Sequence, residues 1–455
     1  MNAQVVAAII AASVSVLTLI GTLAAQYFGR RATSRDTQRA LEEQSRQLDR
    51  TLEEQRTRTL NERFATAAEQ LGGDKPPAVQ LAGVYAMAVL ADDWEKNRQT
   101  CVDVLCAYLR MPYEPDPGAD APAREQRAFQ ASREVRHTVI RVIAAHLKDG
   151  GAVSWQGLNF DFRGAVFDGG DFRGAEFASG QAVFDDAEFV SGEVRFDGAK
   201  FSGSEVFFSD AKFSGGRIRF DGAEFSSGVV SFRRTGFTGA AVFFDDAEFS
   251  GGTIGFGGAV FSGGKIRFAG AKFVSSRVRF DSAKFCGAEV FFGAAEFSGG
   301  TIGFSRAEFP DGEVFFGGAK FSGAEVDFGR AVFSGGRIRF GGAVFSGGTL
   351  SFRRAIFSGG TVDFSAEFSG GKVYFSTEFS GGKADFNGAK FSGGKVSFSY
   401  AKFSGGEVDF GGAEFAGGKV DFSHPGDWSS PPAFPRTGAP PPGVKLPKEQ
   451  DQSQV

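Results

Sequence analysis

The chain has 455 residues, of which 54 are Phe and 65 are Gly, and its formal net charge is −4. Gly does not recur at every third position, which excludes collagen, and a hydrophobic content of 42% is too high for a disordered chain. The near balance of 54 acidic and 50 basic residues excludes a strong whole-chain field that would attract nucleic acid. What remains is an array in which one Phe recurs at a fixed structural position.

The first segment of the chain, residues 5–28, carries no charge. It exceeds the length of about 20 residues that a helix needs to cross a bilayer. Arg30 and Arg31 follow it, whereas a cleaved signal peptide carries basic residues in front of its apolar stretch. We therefore predict a transmembrane anchor over residues 1–29, in a single-pass protein of the cell membrane whose C-terminal bulk is cytoplasmic. The alternatives are a buried hydrophobic helix and an unusual signal peptide.

A charged juxtamembrane helix is predicted over residues 30–73. Leu41, Leu48 and Leu52 recur at spacings typical of a helix, and residues of mixed charge fill the other positions. Two weak heptads would support a homo-oligomer through this helix, and a solitary stalk helix fits the pattern equally well.

Three more helices are predicted in a small helical domain over residues 74–150. The segments ERFATAAEQLGGDKPPAVQLAGVYAMAVLADDW (62–94) and RQTCVDVLCAYLRMPY (98–113) resemble the helical region of membrane-anchored pentapeptide-repeat proteins common in actinobacteria. What this resemblance implies is the order of the domains; it assigns no activity to the helices.

Cysteine and histidine are sparse, with three residues of each. An odd and low Cys count argues against a disulfide framework and suits a reducing compartment. Neither Cys101 and Cys106 nor any His pair has the spacing of metal ligands. We therefore expect no metal site and no cofactor, and we expect His137 and His146 to be solvated or satisfied by their neighbours.

A pattern centred on Phe occupies residues 151–423. Phe162, Phe167, Phe172 and Phe177 lie five residues apart, and the spacing then alternates between seven and five in the unit FSGGxVxFxGAx. The first part resembles a pentapeptide repeat, and the rest resembles a longer, Phe-centred variant of that family. A fixed repeat without a helical face is typical of a β-solenoid. The expected fold class is α+β multidomain, with a transmembrane helix, a small α-helical domain and a quadrilateral pentapeptide-repeat-like β-helix.

Two coil sizes are compatible with this repeat. Sides of 7, 5, 7 and 5 residues give 24 residues per turn, hence about 11 coils and a rod of about 50 Å at roughly 4.8 Å per coil. A flat coil of 12 residues would double that length. The near-copies EVFF at 289–292 and 313–316 are 24 residues apart and favour the larger coil, although EVFF at 205–208 does not follow this rule.

The last segment, residues 424–455, is rich in Pro and is expected to be a disordered tail. His424 and Trp428, at its start, are candidates to cover the last coil, because an open end invites stacking of rods edge to edge. The rod ends are therefore a second possible route to a homo-oligomer.

One column of outward positions stands out when the chain is read in steps of 24. Its members combine Arg with aromatic residues, and exposed aromatic side chains beside Arg are enriched in binding surfaces. The candidate interaction column consists of Arg195, Arg219, Phe243, Arg267, Phe291, Phe315 and Arg339. The alternative is sequence drift at a solvent-facing position.

These observations predict a membrane-tethered, non-catalytic scaffold or protein-interaction module that presents a rigid β-helical rod to an unknown protein partner. It would contact the lipid bilayer through residues 5–28. The family resemblance implies one alternative, a DNA-mimic type regulator of a DNA-binding enzyme such as gyrase. That activity requires a strongly negative rod, whereas this array is nearly neutral, and binding of nucleic acid itself is not expected. The sequence contains neither a Gly-rich phosphate loop nor a Ser/His/Asp set, so no catalytic residue is assigned and an enzyme is not expected.

Overall fold

The computed structural model describes residues 2–114, 116–435 and 440–448, with the side chains of these residues except 3 and 29–40. It divides into two compact units, residues 1–66 and 67–455. The helices come first in the chain: α1 (Ala3–Gln70), α2 (Pro77–Asp93), α3 (Arg98–Arg110) and α4 (Ala123–His146), with a short 3-10 helix at Glu95–Asn97.

Helix α1 contains the apolar segment Gln4–Phe28, which is long and apolar enough to cross a membrane. A membrane span and a signal sequence both satisfy this criterion of length and composition. The hydroxyls of Thr18 and Thr22 donate hydrogen bonds to carbonyl oxygens one turn earlier in the helix, so these polar groups are satisfied without water.

Four ladders of short parallel strands form the solenoid, one ladder on each side of the coil. We number the faces in the order in which the chain visits them. Face 1 consists of Phe160–Asp161, Gln181–Val183, Glu205–Phe207, Val229–Ser231, Thr253–Gly255, Arg277–Arg279, Thr301–Gly303, Glu325–Asp327, Thr349–Ser351, Lys372–Tyr374, Lys395–Ser397, Lys419–Asp421 and Val444–Lys445. Face 2 consists of Val166–Phe167, Glu188–Phe189, Lys212–Phe213, Gly236–Phe237, Val260–Phe261, Lys284–Phe285, Glu308–Phe309, Val332–Phe333 and Lys402–Phe403.

The remaining strands complete the coil. Face 3 consists of Gly170–Asp171, Glu193–Arg195, Arg217–Arg219, Ala241–Phe243, Lys265–Arg267, Glu289–Phe291, Glu313–Phe315, Arg337–Arg339 and Glu407–Asp409. Face 4 consists of Glu176–Phe177, Lys200–Phe201, Glu224–Phe225, Glu248–Phe249, Lys272–Phe273, Glu296–Phe297, Lys320–Phe321, Val344–Phe345, Glu367–Phe368, Lys390–Phe391 and Glu414–Phe415. Two longer strands, Ile356–Asp363 and Glu378–Asp385, turn the corner between faces 2 and 3 and belong to both.

The register of the ladders determines the size of the coil. Lys212 pairs with Gly236, so that one full turn takes 24 residues, and the prediction of the larger coil is confirmed. Further along the rod, Lys372 pairs with Lys395, 23 residues on. This shorter turn lies where two repeat Phe are only four residues apart, because one corner residue is missing there.

The core of the rod is a stack of Phe rings. Each turn sends one Phe inward from each face, and each ring stacks on its equivalent in the next turn, as Phe208 does on Phe232 with 4.7 Å between centroids and an angle of 5°. This distance equals the spacing of about 4.7–4.9 Å between neighbouring strands. Rings from different faces meet edge to face, as Phe208 and Phe220 do at 87°. The repeated Phe is therefore the core residue of the coil.

Glycine allows close packing between turns at the corners. Gly228 has φ +82°, and a Cβ at this position would collide with the carbonyl oxygen of Ser204 in the preceding turn. Only glycine combines this left-handed conformation with so close an approach of two backbones.

Helices α2 to α4 cover the first turn of the solenoid. Arg136, which is buried on α4, donates hydrogen bonds from one guanidinium nitrogen to the carbonyl oxygens of Leu109 (2.7 Å) and Val166 (2.9 Å). The indole of Trp155 stacks on His146 at 4.0 Å and donates a hydrogen bond to Asp92. The end of the aromatic core therefore faces protein rather than water.

The expectation that residues 424–455 form a disordered tail is wrong for the part that the structure describes. Val444–Lys445 pairs with the last full strand of face 1, and Phe434 packs against Phe410 at 5.4 Å and Phe422 at 5.3 Å. Trp428 packs edge-on against Phe422 at 6.0 Å, as its predicted covering role requires. The physical reason is that the last turn would otherwise expose its Phe rings. Residues 436–439 and 449–455 lie outside the described part of the chain.

Candidate interaction column on face 3

The seven residues of the candidate column each end a strand of face 3, and the register brings them together. Phe243 pairs with both Arg219 and Arg267, and Phe315 pairs with both Phe291 and Arg339. Successive members belong to neighbouring turns, about 4.8 Å apart. The column is therefore continuous in space; its role as an interface stays a prediction.

The aromatic members of the column are half-buried rather than exposed as expected. The rings of Phe291 and Phe315 stack on each other with 4.6 Å between centroids and an angle of 3°. Each ring therefore covers part of its neighbour, and the two together present a short apolar surface.

Cations lie against these rings. The Nζ atom of Lys265 is 4.8 Å from the centroid of Phe291, and the Cζ atom of Arg339 is 5.2 Å from the centroid of Phe315. Within about 6 Å, such contacts stabilise by about 0.5–1 kcal/mol at exposed sites. A second cation–ring pair, Arg267 over Phe243, has a longer distance of 5.7 Å.

The N-terminal half of the column is neutralised by carboxylates. Arg219 forms ion pairs with Asp221 at 2.6 Å and with Asp197 at 3.2 Å, and Arg267 forms one with Asp245 at 2.9 Å. The hydrogen bond from Asp221 raises the pKa of Arg219, and burial raises the pKa of Asp245. These guanidinium groups are already engaged with partners inside the protein.

The C-terminal half differs because Gly replaces Asp at the neighbouring position. Gly293, Gly317 and Gly341 stand two residues after Phe291, Phe315 and Arg339, where the N-terminal half has carboxylates. In the described part of the chain, Arg339 has no ion pair. We call Phe291, Phe315, Arg339 and Lys265 the aromatic shelf, a surface flanked by bare backbone and by one unpaired cation.

The sequence reasoning missed two aromatic residues at the equivalent position of face 1. Phe207 is half-buried there, and Tyr374 lies under the guanidinium of Arg353 at 4.6 Å. It also missed Lys265, which lies over Phe291. The same step of 24 applied to neighbouring positions would have found Phe207 and Lys265, whereas the shorter turns displace Tyr374.

A second polar cluster joins α4 and the loop after α3 to the first turn of the solenoid. The nearly buried carboxylate of Asp168 accepts hydrogen bonds from Tyr113 (2.7 Å) and Arg133 (3.0 Å), and lies 2.9 Å from Nε2 of His137. Burial alone would raise the pKa of Asp168, but the hydrogen bonds from His137 and Tyr113 outweigh burial and lower it. All these groups have partners, so we interpret the cluster as a structural joint.

Groups suited to catalysis are not assembled elsewhere in the described residues. No three His, Cys, Asp or Glu side chains in that part of the chain come together as possible metal ligands. Burial raises the pKa of Cys101 to about 11 and that of Cys106 to about 12. These thiols therefore stay protonated and are poor nucleophiles at neutral pH.

The parallel ladders and the stacked Phe core define a β-solenoid repeat protein. Residues 374–424 match the family model described as Pentapeptide repeats (9 copies). The chain is thus a pentapeptide-repeat protein with Phe-centred repeats. Comparison with curated proteins and with solved structures finds no match.

Proposed function

We propose that this protein is a membrane-tethered, non-catalytic scaffold that binds a partner protein through the aromatic shelf. The observation that carries the proposal is the stacked pair Phe291 and Phe315, with the unpaired cation of Arg339 beside it. A pentapeptide-repeat solenoid supports an interaction role because its core is filled with side chains and its outer positions are free to vary.

The chemistry of the shelf indicates the kind of partner. A protein segment that offers an apolar or aromatic side chain to the rings and a carboxylate to Arg339 would satisfy both features. Aromatic residues and Arg dominate the binding energy of many interfaces. The ladders of the rod pair opposite charges, as Lys320 does with Glu296 at 3.0 Å, so the surface lacks the uniform negative charge of a DNA mimic.

The tether is proposed to be the segment Gln4–Phe28. Arg30 and Arg31, whose side chains lie outside the described residues, predict a cytoplasmic position for the rest of the chain. Leu41, Leu48 and Leu52 are 54–61% exposed on α1, and we propose this stripe, rather than the covered rod ends, as the place where a second copy would associate.

The experiment compares partner capture by the full-length protein and by the variant F291S/F315S, both expressed in membranes and joined to neighbours by a photoreactive crosslinker. We expect the variant to lose the crosslinked partners of the wild type while keeping its thermal unfolding temperature within a few degrees.

The matched control is F207S/Y374S, which removes two half-buried aromatic rings from the equivalent position of face 1. It should keep the partners of the wild type. An unchanged partner set for F291S/F315S, or an equal loss in the control, would contradict the proposal.

A further inference from the structure

The corner between faces 1 and 2 carries a run of like charges that the rod otherwise avoids. In the ladders, charged residues of neighbouring turns pair with opposite sign, as Lys212 does with Glu188 at 2.7 Å and Lys284 with Glu308 at 3.1 Å. At this corner, three successive turns place Arg at the same position instead: Arg306, Arg330 and Arg354.

These three Arg residues adopt a backbone conformation that does not favour them. Their φ angles are 59°, 61° and 59°, in the left-handed region where a Cβ is unfavourable. Gly258 occupies the same corner two turns before Arg306, with φ +67°. The fold therefore accepts the residue best suited to this conformation, and the Arg side chains are not required by the turn.

The guanidinium groups line an open groove of about 630 Å³ that crosses four turns. Five Arg and three carboxylates line it, so that its charge is positive. Two of these carboxylates are engaged: Asp281 forms an ion pair with Arg279 at 2.8 Å, and Asp327 accepts a hydrogen bond from the amide of Gly329 at 2.9 Å.

The three corner guanidinium groups have no such engagement. In the described part of the chain, Arg306, Arg330 and Arg354 form no ion pair, and all three are exposed. Placing them about 4.8 Å apart without counter-charges is unfavourable, unless an anion is bound between them.

We infer that this groove binds a small ligand that carries two or more phosphate groups. The guanidinium group is the side chain best matched to phosphate, because its planar fork donates two parallel hydrogen bonds. Cations in a row along the rod favour a chain of phosphates over a single one. The volume lies in the range of about 300–1,000 Å³ typical of small-molecule sites. The groove is separate from the aromatic shelf, so this inference does not depend on the proposed function.

The test is isothermal titration calorimetry on the full-length protein in a nonionic detergent. Sodium tripolyphosphate and inorganic phosphate are the soluble probes, and a short-chain phosphatidylinositol bisphosphate in the same detergent is the lipid headgroup probe. We expect tripolyphosphate to bind about tenfold or more tightly than inorganic phosphate, with an affinity that falls as NaCl is raised. The tighter of the tripolyphosphate and lipid probes then identifies the source of the phosphate groups.

The variant R306G/R330G/R354G removes the three cations and leaves a residue that this corner accepts, so its unfolding temperature should stay equal or rise. It should lose about tenfold or more in affinity for tripolyphosphate. The control K212S/K284S/K320S removes the same charge from faces 2 and 4 and should bind like the wild type.

Three results would overturn the inference. The first is the absence of tripolyphosphate binding by the wild type at low salt, and the second is an equal loss of affinity in the control, which would indicate general electrostatics. The third is tighter binding of a short poly-dT oligonucleotide than of tripolyphosphate, which would assign the groove to nucleic acid.

Discussion

Replacing one core Phe should damage the rod strongly but locally. Phe304 is fully buried and stacks on Phe280 at 4.9 Å and on Phe328 at 4.6 Å. It also meets Phe292 and Phe316 edge-on at 6.5 and 6.2 Å. Phe304→Ala therefore removes contacts with three turns and leaves a cavity that a repeat stacked on both sides cannot close.

The expected cost is about 4–5 kcal/mol, the upper part of the range of about 3–5 kcal/mol for Phe→Ala in a core, because edge and stacked contacts are lost as well as buried area. The half-buried Phe315 keeps one face open to solvent. Phe315→Ala should cost only about 1–2 kcal/mol, since it loses mainly one stacked ring. Urea unfolding of the two variants measures this difference.

Hydrogen exchange measured by mass spectrometry tests the local character of the damage. Because each turn contacts only its neighbours, exchange in Phe304→Ala should accelerate within residues 277–351 and stay close to wild type near both ends of the rod. An unfolding cost below about 1 kcal/mol, or an even loss of protection along the whole rod, would refute the reasoning.

Two further predictions concern the corners and the joint. Gly300→Ala should destabilise the protein by about 3 kcal/mol, because its Cβ would collide with the carbonyl oxygen of Ser276, whereas Gly222→Ala, with φ +61° and open space around it, should cost about 1 kcal/mol; equal costs in urea unfolding would contradict this. Asp168→Asn should cost about 3 kcal/mol at pH 7, because it leaves Arg133 and His137 without their carboxylate. The folded-state pKa of Asp168 is lowered, so its contribution exists above about pH 4 and is lost as the pH falls through that folded-state value. The difference in urea midpoint should therefore narrow below about pH 4, and a constant difference would contradict the assignment.

The sequence by itself predicted the solenoid, the coil of 24 residues and the column on face 3. It could do so because a solenoid repeats one local conformation, so that a period in the chain becomes a period in space. The same step of 24 that placed Phe291 next to Phe315 describes their stacking at 4.6 Å.

Contacts that do not follow the repeat were decided by the tertiary structure alone. Phe434 and Trp428 lie in a Pro-rich segment, and nothing in their local pattern indicates that they cover the last turn. The aromatic shelf and the Arg groove depend on which residues meet across a corner, and that depends on left-handed residues such as Arg330. The period of the sequence determined what each turn contains, whereas the path of the backbone at the corners and ends decided which side chains meet outside the core.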